Sequence, residues 1–363
     1  MTRPLRLVHV AEADIAPTTG MGRVAWHWQA EAHRRGHTLL PIGPQQVGPL
    51  THPRLFPGAA RRAFDQLTDR TDALLVHEPA SGAFLDLNIP LIVVSHGIER
   101  RLWDLQRAGR AGQRPSLRTR MFFPWWRLRL ADRGLRHGHR LYLISRDDVS
   151  FARDRYGRQP DDIFAFRNGV DPVPASEPTH QPHVLFIGSW IDRKGTDLMT
   201  HAASLLHQSH PTLRWTLAGT GSDAGTVAAA FPEPVRAHLD IQPRFAADQE
   251  HALFEGAPIF VLPSTFEGQP LALLQAMAAG CCCITTDTCG QRDLIDNERN
   301  GLLIPVGDKA AFVLALTRVL NDQALRNQLG AAARASVIGR SWSAVSAEVI
   351  DDLEAFLLRT THP

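Results

Sequence analysis

Lysine is almost missing from this chain. Of 39 basic residues only Lys194 and Lys309 are lysine, so arginine is the default cation and each lysine stands out. Cysteine is scarce and poorly spread for cross-linking. Cys281, Cys282, Cys283 and Cys289 fall within nine residues, a layout suited neither to a disulfide framework nor to paired zinc ligands. CCCIT reads instead as a buried strand in which cysteine acts as a small apolar side chain. No window approaches the roughly 18–20 uninterrupted apolar residues of a membrane-spanning helix. The N-terminal MTRPLRLVHVAEADIAP has too short an apolar run for a signal peptide and is closed at once by Glu12 and Asp14. A cytoplasmic chain is the expectation. There is no internal repeat, no low-complexity tract and no Asp-x-Asp triplet, and nothing in the sequence calls for a bound divalent metal.

What is present is enough for two cores. The 363 residues are 44% hydrophobic and 21% charged, which predicts two domains of ordinary size. The formal net charge of +2 hides an asymmetry. Between Gly97 and Arg140 stand 12 arginines against three acids, Glu99, Asp104 and Asp132, interrupted by Trp103, Phe122, Phe123, Trp125 and Trp126. This stretch is either a face for an anionic membrane surface or lipid-linked acceptor, or a solvated helical surface whose tryptophans are core. Nucleic acid is disfavoured, because the basic stretch is local and no nucleic-acid motif accompanies it.

Short apolar runs alternate with longer segments of helical period, the pattern of a parallel sheet covered by helices. Strands are predicted at 5–10, 38–42, 73–78, 91–96, 141–145 and 163–168 in the first half. In the second half they fall at 183–188, 213–219, 258–264, 281–286 and 301–306. Two doubly wound α/β units in tandem fit this order. Between them NGVDPVPASEPTHQP (168–182), with four prolines, reads as a linker. The stretch from Trp342 to Leu358 has the spacing of a terminal amphipathic helix.

Ligands of open parallel sheets bind outside the carboxyl ends of the strands. After the first strand, AEADIAPTTGMGR is predicted to lead into a helix near Val24, with Gly20 and Gly22 permitting close approach to a phosphate and Arg23 adding charge. After 183–188, GSWIDRKGTDL places Arg193 and Lys194 just before a helix beginning near Thr196, a site suited to a diphosphate. After PIFVL comes PSTFEGQPLALLQAMAAG (263–280). There Glu267 sits at the strand-to-helix junction, Gly268 and Gln269 offer backbone N–H groups, Pro270 suits a first helical turn, and Gln275 follows eight residues after Glu267.

These pieces resemble the retaining glycosyltransferases of family 4. The likeness runs through TGMGR, HRRGH, VSHG, LISRDDVSFARDRYG, FRNGVD, FIGSWIDRKG, LAGTGS, LPSTFEGQPLALLQAMAAG and NGLLIPVGD, with 97–140 matching only loosely. The resemblance implies the GT-B architecture: two facing Rossmann-like domains with a central cleft. It implies an acceptor-side domain at 1–175, with a terminal helix at 343–360 packing back on it, and a nucleotide-sugar donor domain at 176–342. By the same resemblance, Arg193 and Lys194 meet the donor diphosphate, Glu267 contacts sugar hydroxyls, Gln275 grips the ribose, and His96 lies near the sugar. Gly20, Gly22, Gly188, Ser189, Gly221, Gly268, Gln269, Pro270 and Leu271 line the donor. The implied reaction is metal-independent hexosyl transfer, with no cofactor beyond the nucleotide-diphosphate-sugar donor. Its acceptor is a saccharide, a lipid-linked saccharide or a small molecule; the basic aromatic residues 100–140 add an anionic surface at the inner face of the membrane as a candidate partner.

Two departures qualify this. The family commonly has arginine five residues before the lysine, where this chain has Ser189, so Arg193 is expected to substitute. The Glu-x7-Glu pair of the family is Glu267 and Gln275 here, and glutamine accepts a ribose hydroxyl without the strength of a charge-assisted bond. A nucleotide-sugar-binding protein with weak or no transferase activity is the alternative these departures motivate, and a GT-B epimerase or phosphorylase is another.

Overall fold

The computed structural model describes residues 3–18, 20–173, 183–246 and 249–361. The part of the expected linker from 174 to 182 lies outside the described residues. The chain divides into two compact units, one from 1–107, 115–169 and 342–363, the other from 108–114 and 170–341.

In the first unit six parallel strands, β1 (Arg6–Val10), β2 (Thr38–Ile42), β3 (Ala73–His77), β4 (Leu91–Ser95), β5 (Arg140–Leu143) and β6 (Ile163–Ala165), run in the order β2-β1-β3-β4-β5-β6. The central strands ALLVH and LIVVS are buried at every residue, as expected where helices cover both faces of a parallel sheet. The long helix Trp342–Thr361 belongs to this unit and is tied to it by charge. Arg35 donates to Asp351 at 2.5 Å, and His37 Nε2 meets Glu354 Oε1 at 2.7 Å. The nearly buried Arg140 at the start of β5 donates through Nε to Asp352 at 2.7 Å.

The second unit repeats the plan. Strands β7 (His183–Ile187), β8 (Arg214–Ala218), β9 (Leu239–Gln242), β10 (Ile259–Leu262), β11 (Cys282–Thr286) and β12 (Leu302–Ile304) are parallel in the order β12-β11-β10-β7-β8-β9. The predicted strands are all present. The sequence pattern misses only β9, LDIQ, an edge strand that is nowhere fully buried and so has no apolar run to announce it. All four cysteines are buried and free, three of them at or in β11. Burial pushes the Cys281 and Cys282 thiols up to about 12, which removes the thiolate that reactive chemistry needs.

In each sheet the chain leaves a central strand in one direction and later resumes on that strand's other side. The reversal falls between β1 and β3 in the first unit and between β7 and β10 in the second. Such switch points open a crevice at the carboxyl ends of the strands. One helix expectation is corrected here: the first helix starts at Gly20 rather than near Val24, so Gly20 and Gly22 occupy its first turn instead of a loop before it.

A tight helix contact supports the first crevice. Helix Arg129–His137 crosses the short helix Glu78–Ser81 so closely that a Cβ on Gly134 would stand 1.7 Å from Ser81 Oγ and 2.5 Å from Ser81 Cβ. Gly134→Ala should therefore destabilise the protein by about 1–3 kcal/mol in urea unfolding, and Ser81→Gly in the same chain should recover part of the loss.

Candidate functional site

The second unit's crevice is built from two loops. After β7, Gly188 and the exposed Ser189 lead into a single 3-10 turn, Asp192–Lys194, closed by Gly195. Gly195 has φ of +74°, and a Cβ there would lie 2.2 Å from the carbonyl oxygen of Pro263, which only glycine permits. Helix Thr196–Leu206 follows at once, as the sequence predicts. After β10 the chain passes through Ser264–Gly268 to Pro270, which caps helix Leu271–Ala279 from one position outside it rather than from its first turn. The two loops are stitched together where Thr265 N donates to Arg193 O at 2.8 Å.

This packing brings Lys194 and Glu267 into contact across 73 positions of sequence. Lys194 Nζ donates to Glu267 Oε1 at 2.7 Å, with the two side chains 15% and 10% exposed. Arg193 Nη1 donates to the Phe266 carbonyl at 2.6 Å and lies 3.8 Å from Glu267 Oε2. Burial raises the Glu267 pKa, but the charges of Lys194 and then Arg193 outweigh it, and the carboxyl is held below its usual value. Glu267 is therefore ionised and already has the cations as partners before any ligand arrives.

Neighbouring residues fix the loop. The Gly268 carbonyl oxygen presses so tightly on Gly290 that a Cβ there would lie 1.5 Å away. Gln269 Oε1 accepts from Arg340 Nη2 at 2.6 Å. Leu271 opens the helix and Gln275 sits half-buried one turn further along. Gly221, with φ of +65°, lies past β8 and donates its N–H to the Pro243 carbonyl at 3.0 Å. The other lysine is elsewhere: Lys309 begins helix Lys309–Asn321, is largely exposed, and lies 3.4 Å from Asp197.

Of the predicted residues, His96, Gly20 and Gly22 belong to the first unit, the rest to the second. His96 follows β4 and faces a crevice cavity of about 140 Å³ also lined by Glu12, His77, Glu78, Ser95, Glu99 and Arg127. His9 Nε2 and His77 Nε2 are 3.1 Å apart, and the His77 and His96 rings lie 5.2 Å apart. Burial depresses all three imidazoles, His9 to about 4 and His96 to about 3, so they are neutral near pH 7. Glu78 accepts from Ser95 Oγ and from Glu99 N at 2.7 Å, while burial and then the Glu99 charge push its carboxyl well above the usual range. Sequence reasoning missed Glu78, Glu12 and Arg127. Arg127 sits on a π-helical turn, Pro124–Leu128, and joins Glu12 at 2.5 Å to Glu99 at 2.5 and 2.7 Å. Such turns often mark functional positions.

The basic aromatic stretch divides into a packed part and an exposed part. Trp103 is core, and Arg100, Arg101, Arg127 and Arg140 are paired with acids. Leu117, Met121, Phe122 and Trp125 are exposed at 76, 71, 54 and 67%, and Arg107, Arg118, Arg120, Arg129, Arg133 and Arg136 are exposed in the same stretch of the first unit. Among the described residues no helix is long and apolar enough to cross a membrane, and no cluster of side chains suits a metal ion.

Two doubly wound parallel units of this kind define a GT-B protein. The sucrose-phosphate synthase from Thermosynechococcus elongatus shares the fold with a TM-score of 0.81 at 18% identity, over 98% of this chain and 100% of that one. Residues 171–336 match the model of the glycosyl transferases group 1 family. A GDP-mannose-dependent alpha-mannosyltransferase of Mycobacterium tuberculosis is 30% identical over 185 residues, 51% of this chain and 46% of its own length. A UDP-Gal:alpha-D-GlcNAc-diphosphoundecaprenol alpha-1,3-galactosyltransferase of Escherichia coli is 41% identical over 73 residues, 20% of this chain and 19% of its own. The chain spans less than half the length of these curated relatives.

Breaking a buried ion pair by removing one partner leaves an uncompensated charge, at a cost of about 3–5 kcal/mol. Lys194→Met should lose that much in denaturant unfolding at pH 7. The wild-type pair contributes above the ordinary carboxylate range and fades as pH falls through the lowered Glu267 value. In the variant, burial drives Glu267 up instead, so the difference between the two proteins should shrink steadily toward pH 4. Adding Glu267→Gln should restore much of the loss.

Proposed function

We propose that this protein is a retaining glycosyltransferase that moves a hexose from a nucleotide-diphosphate-sugar to a saccharide or lipid-linked acceptor. The observation that carries the reading is the Lys194–Glu267 contact at the switch point of the second unit, inside the segment that matches the family. Cleavage of the anomeric bond builds negative charge on the leaving diphosphate and oxocarbenium character on the sugar. Preorganised positive charge at the leaving group is then the largest contribution a protein can make. Lys194 and Arg193 supply it in place of a divalent metal or other cofactor, helped by backbone N–H groups around Gly268 to Leu271. Glu267 is charged and fixed by Lys194, suited to accept hydroxyl protons of the donor sugar and hold the ring. Gln275 offers its carbonyl oxygen to a ribose hydroxyl. In the first unit, neutral His96 faces a cavity with the carboxylates of Glu12 and Glu99, a chemistry suited to sugar hydroxyls rather than to a phosphate.

UDP-, GDP- and ADP-sugars should be screened for binding by calorimetry and then for nucleoside diphosphate release with and without an acceptor mixture. Acceptor-stimulated release, reduced at least about a hundredfold in Glu267→Gln and Lys194→Met, is the expected result. Binding without any release would favour a nucleotide-sugar-binding protein instead.

The same reading includes an anionic membrane surface as a partner, at the inner face of the membrane. The exposed Leu117, Met121, Phe122 and Trp125, with the exposed Arg118, Arg120 and Arg129 next to them in sequence, combine apolar insertion with electrostatic attraction. Vesicles of phosphatidylcholine with a third phosphatidylglycerol should carry the protein to the top of a flotation gradient at low salt and less so at moderate salt. Trp125→Ala with Met121→Ala should weaken flotation severalfold, and failure to float at low salt would refute the membrane role.

A further inference from the structure

The second unit contains seven residues from the first half of the chain. Ala108–Arg114 packs with the second unit, although the helices on either side of it, Glu99–Arg107 and Leu117–Phe123, belong to the first. Ala111 is fully buried. A Cβ on Gly112, where φ is +69°, would stand 3.8 Å from the backbone nitrogen of Arg193, in the very turn that carries Lys194. Gly109, with φ of +72°, lies under the Arg114 guanidinium, whose Nε would be 2.8 Å from its Cβ. The sequence AGRAGQR is thus shaped by two left-handed glycines and anchored by one alanine, and it places Arg110 and Arg114 on either side of that anchor. Both are exposed and neither has a hydrogen-bonded or ion-paired partner among the described residues.

The charge count of the second unit's crevice is incomplete without them. Lys194 and Arg193 are two cations, and Glu267 is an ionised carboxylate in contact with the first. The balance is one positive charge, against about two negative charges on a substituted diphosphate. Arg193 is further committed to the Phe266 carbonyl. Ser189, five residues before Lys194, is exposed and uncharged. We propose that Ala108–Arg114 is a strap on the second unit whose Arg110 and Arg114 bind the donor diphosphate, supplying the cation that the β7 and β10 loops lack. The proposal rests on the donor reading above. It makes the two arginines binding residues that select for a diphosphate over a monophosphate.

The test is calorimetry on the full chain with UDP, GDP and ADP, followed by the monophosphate of whichever base binds best. Arg110→Gln with Arg114→Gln should weaken the diphosphate at least about tenfold and the monophosphate by less than about twofold. Arg110→Lys with Arg114→Lys should recover most of the affinity, since a charge is restored, which a purely structural role would not produce. Equal weakening of both nucleotides, or no weakening of the diphosphate, would overturn the strap while leaving the donor reading intact. A wild-type protein that binds none of the three diphosphates would sink the donor reading and the strap together.

Discussion

One ion pair organises the second half of this molecule. Lys194 ends a tight turn after β7, Glu267 ends a loop after β10, and the contact between them is where the sheet changes direction. Two buried opposite charges must be paired or pay heavily in lost solvation, so the loops that carry them cannot move independently. The surrounding glycines enforce the same closeness: Gly195 under the Pro263 carbonyl and Gly290 under the Gly268 carbonyl leave no room for a Cβ. Loops tied together with charge already in place fit the proposed electrostatic stabilisation of a leaving group, which gains from groups that need not reorganise at the moment of reaction.

The first unit solves the equivalent position with different chemistry. At its switch point the buried groups are kept neutral: three imidazoles lowered by burial and a Glu78 carboxyl raised by it. Arg127, on a π-helical turn, donates to both Glu12 and Glu99 there and so offsets one of the two acids. That turn carries the exposed Trp125 and continues directly from the helix with the exposed Leu117, Met121 and Phe122. Exposed apolar side chains and an arginine that lines the first unit's cavity therefore sit on one continuous helical segment.

Much of this was readable in the residues. Parallel strands covered on both faces become near-continuous apolar runs, so LIVVS and ALLVH announced themselves, and β9 did not because an edge strand needs no such run. Lys194 stood out because lysine is so rare here, and Glu267 because it falls between a strand and a helix. Their contact was not readable. It depends on parallel pairing of β7 with β10, with Ile259 opposite Val184, and no local signal encodes a register 75 residues long. The division of the aromatic arginine-rich stretch was equally closed, since Trp103 and Trp125 stand in similar basic surroundings in sequence, yet one is core and the other exposed.

The residues by themselves determined the order of strands and helices, the two cores, and the loops in which cations and carboxylates would stand, because backbone propensity and apolar periodicity act over a few residues. Which of those groups meet, which are buried and neutral, and that the seven residues from Ala108 to Arg114 pack with the unit they are not continuous with were decided only in three dimensions. Burial and ionisation depend on neighbours that sequence separates by tens of positions, and the free energy of a charge is set by those neighbours and not by its place in the chain.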